Sequence, residues 1–245
     1  WAERIESPGD AARLTQEAFR QLGVGRPRPV GLECPIDVWG RKAPVTIPSN
    51  PATREIPPVD TDKVEDAAKL LGAAKNPMII VGGGAQDASA EVQRIAEILE
   101  APVCGYFMGR GVLDSRHHLS ITMPTGEQLW KDVDVVLGVG SRMQPHQQSW
   151  GVDKELKIIR IDLSQEEISR ITRPEIGIIG DAASVLNALA EALPKHNSTR
   201  ISRREELDEA RAKTMKKLAP LAPQLAYVEA IRNALPENGV FIDEL

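Results

Sequence analysis

The sequence predicts an α/β fold with a parallel sheet that carries helices on both faces. Short apolar runs of strand length alternate with helical or loop stretches of ordinary crossover length. The clearest unit is NPMIIVGGGAQDASAEVQRIAEIL at 76–99, which reads as a strand, a triple-glycine turn and an amphipathic helix. Such units build Rossmann-like, DHS-like nucleotide-binding sheets, and we expect that domain with partial segments on either side.

Composition limits the function classes. The 245 residues are 42% hydrophobic, which is enough for a real core, and the net charge of −5 argues against a nucleic-acid partner. Two distant cysteines, Cys34 and Cys104, disfavour a disulfide framework or a zinc site and suit buried thiols in a reducing compartment. No apolar run approaches the ~20 residues of a membrane span. We therefore expect a cytoplasmic protein without a membrane partner.

The first forty residues hold too few elements to fold alone. Ser7 and the proline after it start a helix that ends at Gly23, and Val30 to Cys34 forms a short strand. The residues 36–38 lead into a loop. One helix and one strand cannot make a domain, so this segment reads as the end of another one.

The middle of the chain carries the predicted sheet. A helix starts at Thr61 or Asp62, Asp87 caps the helix after the glycine turn, and the last helix of the domain covers Asp181 to Leu193. Five strands are expected, at 78–81, 103–107, 133–139, 157–162 and 176–179.

The C-terminal part reads as two helices and the start of a strand. Arg203 to Lys217 has ten charged residues in fifteen, which is typical of a solvated or bridging helix. Pro223 to Leu235 is amphipathic through Val228 and Ile231, and GVFIDEL at 239–245 resembles a new strand. Because the sequence begins without Met and ends within this strand, we expect a piece of a longer protein. The predicted divisions are 1–40, a linker at 41–58, the central domain at 59–194, a linker and charged helix at 195–222, and a further partial domain at 223–245.

Four loops fall at the carboxyl ends of predicted strands, where open α/β sheets bind ligands. They offer flexible glycine backbone, guanidinium groups suited to phosphate, and acids suited to ribose hydroxyls. The candidate cofactor-binding residues in these loops are Gly82, Gly83, Gly84, Arg110, Gly140, Ser141, Arg142, Asp162, Gly180 and Asp181.

Each candidate also has a purely structural interpretation. The glycine triplet departs from G-x-G-x-x-G because Asp87 stands at the sixth position, and a tight strand-to-helix turn needs glycine for the same steric reason. Asp162 can cap the helix near Ser164. Arg110 and Arg142 can be ion-pair partners at the surface.

Catalytic residues and metal ligands are not expected in this segment. No histidine has metal-ligand spacing to another histidine or cysteine, and the default is a solvated loop position for all four, His117, His118, His146 and His196. No nucleophile elbow, Walker loop or H-E-x-x-H helix occurs.

Seven segments, five of them in register within the central domain, resemble thiamine-diphosphate enzymes of the acetolactate synthase, pyruvate oxidase and benzoylformate decarboxylase superfamily. GRPRPVGLECPIDV resembles the end of the pyrimidine-binding domain, and PENGVFIDEL resembles the start of the diphosphate-binding domain. The central domain is matched by NPMIIVGGGA, GRGVLDSRHHLSI, DVVLGVGSRM, and IRIDLSQEEISR with IGIIGDAASVLNAL.

The resemblance implies a parent enzyme that makes or breaks a carbon–carbon bond beside a carbonyl, with thiamine diphosphate and Mg²⁺ bound outside this segment. The substrate would be a 2-keto acid, as for a lyase or a synthase-like transferase, and the full-length protein would be a homodimer or homotetramer. This segment alone would be inactive.

The resemblance also implies a possible FAD or ADP site in the central domain, to which Arg26 of the G-R-P segment would belong. The loop after LSITM passes through PTGEQLW directly into the next strand, whereas flavin-binding relatives carry a longer loop there. We therefore expect an empty site. The alternatives are a stand-alone FAD- or ADP-binding module, such as a flavoprotein subunit, and an interaction scaffold without a ligand. A sirtuin-like deacylase is excluded because it needs paired C-x-x-C motifs.

Overall fold

A computed structural model describes residues 1–50 and 56–242. The N-terminal unit pairs two short parallel strands, with Ala2 opposite Gly31. Its elements are β1 (Ala2–Arg4), α1 (Ala11–Gly23), β2 (Gly31–Glu33) and α2 (Ile36–Trp39). Ser7 accepts a hydrogen bond from the Gly9 amide at the helix start, as its sequence position predicted.

The central unit is a six-stranded parallel sheet. Its elements are α3 (Thr61–Ala73), β3 (Pro77–Val81), α4 (Ser89–Leu99), β4 (Val103–Gly105), β5 (Ser120–Ile121), α5 (Met123–Trp130), β6 (Val135–Val139), β7 (Lys157–Asp162), α6 (Gln165–Ile168), β8 (Ile176–Ile179) and α7 (Ala182–Ala192). The strand order is β5-β4-β3-β6-β7-β8, and every neighbouring pair is parallel. The predicted α/β fold with a parallel sheet is confirmed.

The centre of the sheet is buried on both sides. All five residues of β3 and all five of β6 are buried, and successive side chains of a strand point to opposite faces. Both faces are therefore covered, as is usual for parallel sheets. Helix α7 contacts both α3 and α4, and Val92, Ile95, Ala96 and Leu99 of α4 face the core as their spacing predicted.

The strand order reverses between β3 and β6. The chain runs from β3 outward through β4 to β5, and then returns to place β6 on the other side of β3, from which β7 and β8 continue outward. The carboxyl ends of β3 and β6 therefore flank a topological switch point, where open α/β sheets bind ligands. The glycine triplet follows β3, and Gly140 follows β6.

Several local predictions were wrong. Residues 36–39 form a short helix rather than a loop, β1 and β5 were missed because they are only three and two residues long, and β4 ends at Gly105 rather than 107. Asp87 does not cap α4, because it lies within a 3₁₀ turn, Gly83–Ala88, and Ala88 is the residue at the cap position. Helix α3, in contrast, starts at Thr61 as predicted, and the Asp60 side chain caps it.

The segment after α7 packs closely on the central unit although it was predicted to be a linker. The guanidinium of Arg200 donates to the carbonyl oxygens of Leu71, Gly72 and Ala74 and so caps the end of α3. The charged helix α8 (Arg204–Leu218) buries Leu207, Ala210 and Thr214, and it contacts α5. It is a bridging helix, which was one of its two predicted roles.

The last helix, α9 (Gln224–Ala234), has no buried residue, so Val228 and Ile231 of its predicted apolar face lie exposed. The described part of the predicted strand, 239–242, is not a strand, and residues 243–245 lie outside the described residues. Within the predicted 41–58 linker, the described residues 41–50 and 56–58 form neither helix nor strand. None of the described helices is long and apolar enough to cross a bilayer.

Replacing Gly140 by alanine tests the switch point. The backbone φ of Gly140 is +53°, and a Cβ there would overlap the backbone of Gly84. We expect G140A to lower the free energy of unfolding by about 3 kcal/mol. Gly151→Ala is the matched control, because Gly151 also has a positive φ, +89°, but nothing lies within 4 Å of the added carbon. It should lower the free energy of unfolding by only about 1 kcal/mol. Urea unfolding followed by circular dichroism measures both, and equal losses would contradict the close packing.

Candidate functional site

Two glycine loops interlock at the switch point. The Gly82 amide donates to the Val139 carbonyl oxygen at 3.0 Å, and the Gly84 amide donates to the Gly140 carbonyl oxygen at 3.1 Å. The Gly140 amide in turn donates to Ile161 at 2.9 Å. A Cβ on Gly84 would lie 2.8 Å from the Gly140 Cα. These glycines are thus needed for backbone contact within the protein, which is the structural alternative that the sequence left open.

A cleft of about 440 Å³ opens beside the interlocked loops. Its size is within the range of small-molecule sites. Seven of the predicted cofactor-binding residues line it, namely Arg26, Gly83, Gly84, Gly140, Asp162, Gly180 and Asp181. The structure therefore brings together residues from the loops after β3, β6, β7 and β8 with the segment before β2.

Asp162, the predicted ribose-binding acid, and Asp181, the candidate at the next strand end, already accept hydrogen bonds within the chain. An oxygen of Asp162 accepts from the Ser164 amide at 3.0 Å, and the carboxylate is buried. Asp181 caps α7, because its Oδ2 accepts from the amide of Ser184 at 3.2 Å and from its hydroxyl at 3.1 Å. Both carboxylates thus stabilise local turns.

Three arginines converge on one buried carboxylate at the rim of the cleft. Glu167 Oε2 lies 3.0 Å from Arg142 Nε and 3.4 Å from Arg26 Nη1, and its Oε1 lies 2.6 Å from Arg170 Nη1. Burial alone would raise the pKa of Glu167, but the hydrogen bond from Arg142 and the charges of the three guanidiniums lower the pKa below its ordinary value. Glu167 is ionised at neutral pH, and the sequence analysis did not single it out.

The loop of Arg142 is tied to helix α6 by a buried arginine. Arg160 lies in β7 with no exposed surface, and its guanidinium donates to the carbonyl oxygens of Ser141 at 2.8 Å and Ile168 at 3.3 Å. Burial lowers the pKa of Arg160, although the charges of Asp162 and Glu167 oppose that shift. The Arg160 hydrogen bonds fix the two segments that present Arg142 and Glu167.

Four predicted residues do not line this cleft. Gly82 lies under the loop contact, and Ser141 and Arg142 lie beside the cleft. Arg110 lines a separate cleft of about 530 Å³ beyond β4 and β5, together with Arg211. Gly109, which precedes Arg110, packs against the backbone of Val81 at the end of β3.

The prediction for His146 was wrong. The side chain is fully buried in an aromatic cluster, with ring centroids 4.4 Å from Trp150, 6.0 Å from Trp130 and 6.4 Å from Tyr106. Neither ring nitrogen has a hydrogen-bond partner among the described residues. Burial lowers its pKa to about 4, so the ring is neutral. The signal in the sequence that could have indicated burial of His146 is its four-residue spacing from Trp150, which places both rings on one side of a helical turn.

The other three histidines face carboxylates. His117 lies 3.2 Å from Glu97 and His196 lies 2.6 Å from Glu65, and all three rings are partly buried rather than solvated. No group of three or more metal-ligating side chains occurs in residues 1–50 and 56–242. Burial raises the pKa of the Cys104 thiol to about 12, which makes it unreactive at neutral pH.

Residues 64–189 match the protein family described as "Thiamine pyrophosphate enzyme, central domain". The matched residues include α4, the whole six-stranded sheet and most of α3 and α7. The chain belongs to this family. It carries the family's central domain, and the stand-alone flavoprotein alternative is not supported.

Curated relatives agree with the family. The acetolactate synthase large subunit of Corynebacterium glutamicum is 32% identical over 201 residues, which are 76% of this chain and 32% of that protein. Glyoxylate carboligase of Escherichia coli O157:H7 is 32% identical over 196 residues, or 73% of this chain and 32% of that protein. The chain thus spans about a third of the length of the curated relatives that it matches.

A solved structure shares the fold. The X-ray structure of a chain assigned as a thiamin diphosphate-dependent enzyme from Mycobacterium smegmatis superposes with a TM-score of 0.67 and 20% identity, over 82% of this chain and 40% of that chain. At this identity the likeness concerns the architecture alone.

His146 predicts a specific loss of stability in acid. The unfolded ring takes up a proton near pH 6.5 and the folded ring only near pH 4, so the unfolded state binds more protons in this window and stability falls as the pH is lowered through it. The loss should reach about 3 kcal/mol at the lower end. In H146F this part of the pH dependence should vanish, as measured by urea unfolding between pH 7 and 4, since phenylalanine does not titrate. His196→Gln, which changes a partly exposed histidine, should retain it, and an unchanged slope in H146F would contradict the assignment.

Proposed function

We propose that this chain is the central, non-catalytic domain of a thiamine-diphosphate- and Mg²⁺-dependent enzyme. The parent enzyme acts on a 2-keto acid or a related carbonyl compound, as a carbon–carbon lyase or an acetolactate-synthase-like transferase. The observation that supports this most is the family match over the whole central sheet. The similarity to acetolactate synthase and glyoxylate carboligase supports the substrate class.

The donor set of the described residues does not fit the Mg²⁺ that accompanies thiamine diphosphate. These residues contain no cluster of three carboxylate, histidine or cysteine side chains that could hold Mg²⁺. We therefore assign the cofactor to other parts of the parent protein and no step of the reaction to this chain. The predicted domain boundaries, the cytoplasmic location and assembly as a homodimer or homotetramer belong to the same proposal.

The role of this domain is structural, without a bound FAD or ADP. In the cleft, Gly84 and Gly140 hydrogen-bond to the neighbouring loops, and Asp162 and Asp181 accept hydrogen bonds from local donors. Arg26 is paired with Glu167. A nucleotide would have to compete with these internal contacts, and each buried group it displaced would need a new partner.

Titration of the purified chain with nucleotides tests this role. We expect no saturable binding of ADP or FAD up to about 1 mM nucleotide, since a dissociation constant of that size corresponds to a binding free energy of only about −4 kcal/mol. The purified protein should be colourless. Isothermal titration calorimetry measures the binding of ADP, and flavin absorbance measures the binding of FAD. Binding of either nucleotide at micromolar concentration would overturn the structural role.

The full-length protein tests the parent activity. We expect consumption of pyruvate or glyoxylate with release of CO₂ that requires both thiamine diphosphate and Mg²⁺, and no activity of the 245-residue chain alone under the same conditions. The control is the full-length protein after removal of the metal by a chelator. Absence of cofactor-dependent consumption of either of these 2-keto acids would contradict the proposed reaction class.

A further inference from the structure

We propose that Glu167 determines the ligand specificity of the cleft by occupying an anion site with the chain's own carboxylate. Arg26 and Arg142 form this site, and an anionic group of a ligand, such as a phosphate, would be bound there if Glu167 were absent. The inference rests on the proposed structural role of the domain and names the residue that enforces it.

The contacts of Glu167 are those of a bound anion. The Nε of Arg142 donates to Oε2 at 3.0 Å, and its Nη2 approaches Oε1 at 3.5 Å, so the guanidinium faces both oxygens. Arg26 and Arg170 complete the shell. A planar guanidinium binds a carboxylate and a phosphate with the same forked geometry. The carboxylate therefore uses the donors that a phosphate would need.

The exposure of the four side chains places the carboxylate innermost. The Glu167 side chain is 5% exposed, whereas those of Arg26, Arg142 and Arg170 are 36%, 51% and 59% exposed. The arginines are open to solvent on their outer sides, and on their inner sides they form ion pairs with Glu167. A ligand from solvent can thus reach the guanidiniums, but it would meet an ionised carboxylate already bound to them.

The position of Glu167 is fixed by the fold. It lies on the short helix α6, whose Ile168 carbonyl oxygen accepts from the buried Arg160. The same guanidinium holds Ser141, which precedes Arg142. Arg26 reaches the site from the N-terminal segment and also lines the cleft beside Gly83 and Gly84. The anion site is therefore continuous with the cleft at the switch point.

The charges around the site also bear on anion binding. Asp87, Asp162 and Asp181 line the neighbouring cleft, which shares Arg26 with the anion site. Because the buried Arg160 interacts electrostatically with Asp162 and Glu167, four carboxylates balance four guanidiniums while Glu167 is ionised. Replacing Glu167 by the isosteric glutamine would leave an excess of one positive charge and would free the inner faces of Arg26 and Arg142.

Binding of pyrophosphate and of ADP by the complete 245-residue chain tests the inference. We expect negligible binding by the wild type and at least tenfold tighter binding of both probes by E167Q in low-salt calorimetry, with the gain reduced by added salt. The matched control is Glu166→Gln, the same change at the adjacent residue, which is 79% exposed and paired with Arg28. It should bind no tighter than the wild type. Adding Arg26→Gln to E167Q should remove the gain.

A folded E167Q chain that binds pyrophosphate no more tightly than the wild type would overturn the inference and leave the structural role intact. Tight binding of ADP by the wild type would overturn both. Because E167Q leaves three arginines without their shared partner, E167D is the second variant. It keeps the charge but shortens the side chain, which loosens the 3.4 Å contact with Arg26 first. If E167Q does not fold, a gain of about threefold in E167D supports the inference, and no gain in E167D overturns it.

Discussion

The backbone contact between the loops after β3 and β6 is the constraint on which the site depends. At this point the strand order reverses, and the two loops approach each other. They do so through the amide of Gly84 and the carbonyl oxygen of Gly140, with no room for a Cβ on either residue. This contact covers the carboxyl ends of β3 and β6. It also leaves the remaining cleft to be shaped by the loops after β7 and β8 and by Arg26.

Several polar side chains around this contact have partners within the chain, although Arg160 Nε has none among the described residues. Arg160 crosses from the middle of β7 to two carbonyl oxygens, Asp181 caps a helix, and Glu167 neutralises arginines from three segments. Unpaired buried donors and acceptors are costly, so this pattern stabilises the unliganded domain. In a multidomain enzyme such a domain can connect catalytic parts without carrying chemistry of its own.

The sequence predicts the parts of the fold that follow from periodicity. The strands at 77–81 and 157–162 and the apolar face of α4 are continuous patterns, and the structure confirms them. The two-residue β5 could not be predicted, because only pairing with β4 makes it a strand. Asp87 failed as a helix cap for a related reason: the 3₁₀ turn after the glycines is set by contact with Gly140 rather than by its own residues.

The candidate cleft was predictable as a cluster of loops, since parallel strands bring their carboxyl ends to one edge. The difference between Glu166 and Glu167 was not, because adjacent acids in one short helix differ only through the tertiary positions of Arg26 and Arg142. The burial of His146 could not be predicted for the same reason, because it depends on the tertiary positions of Tyr106 and Trp130.

Amide hydrogen exchange at Gly82, Gly84 and Gly140 tests most directly whether the two loops are locked together without a ligand. Their amides donate to Val139, Gly140 and Ile161 in the structure. Protection close to that of the central strands, unchanged by addition of ADP, is the result expected from a closed and internally satisfied switch point. Fast exchange that becomes slow when ADP is added would show that the loops are open and await a nucleotide, and it would contradict the account given for this domain.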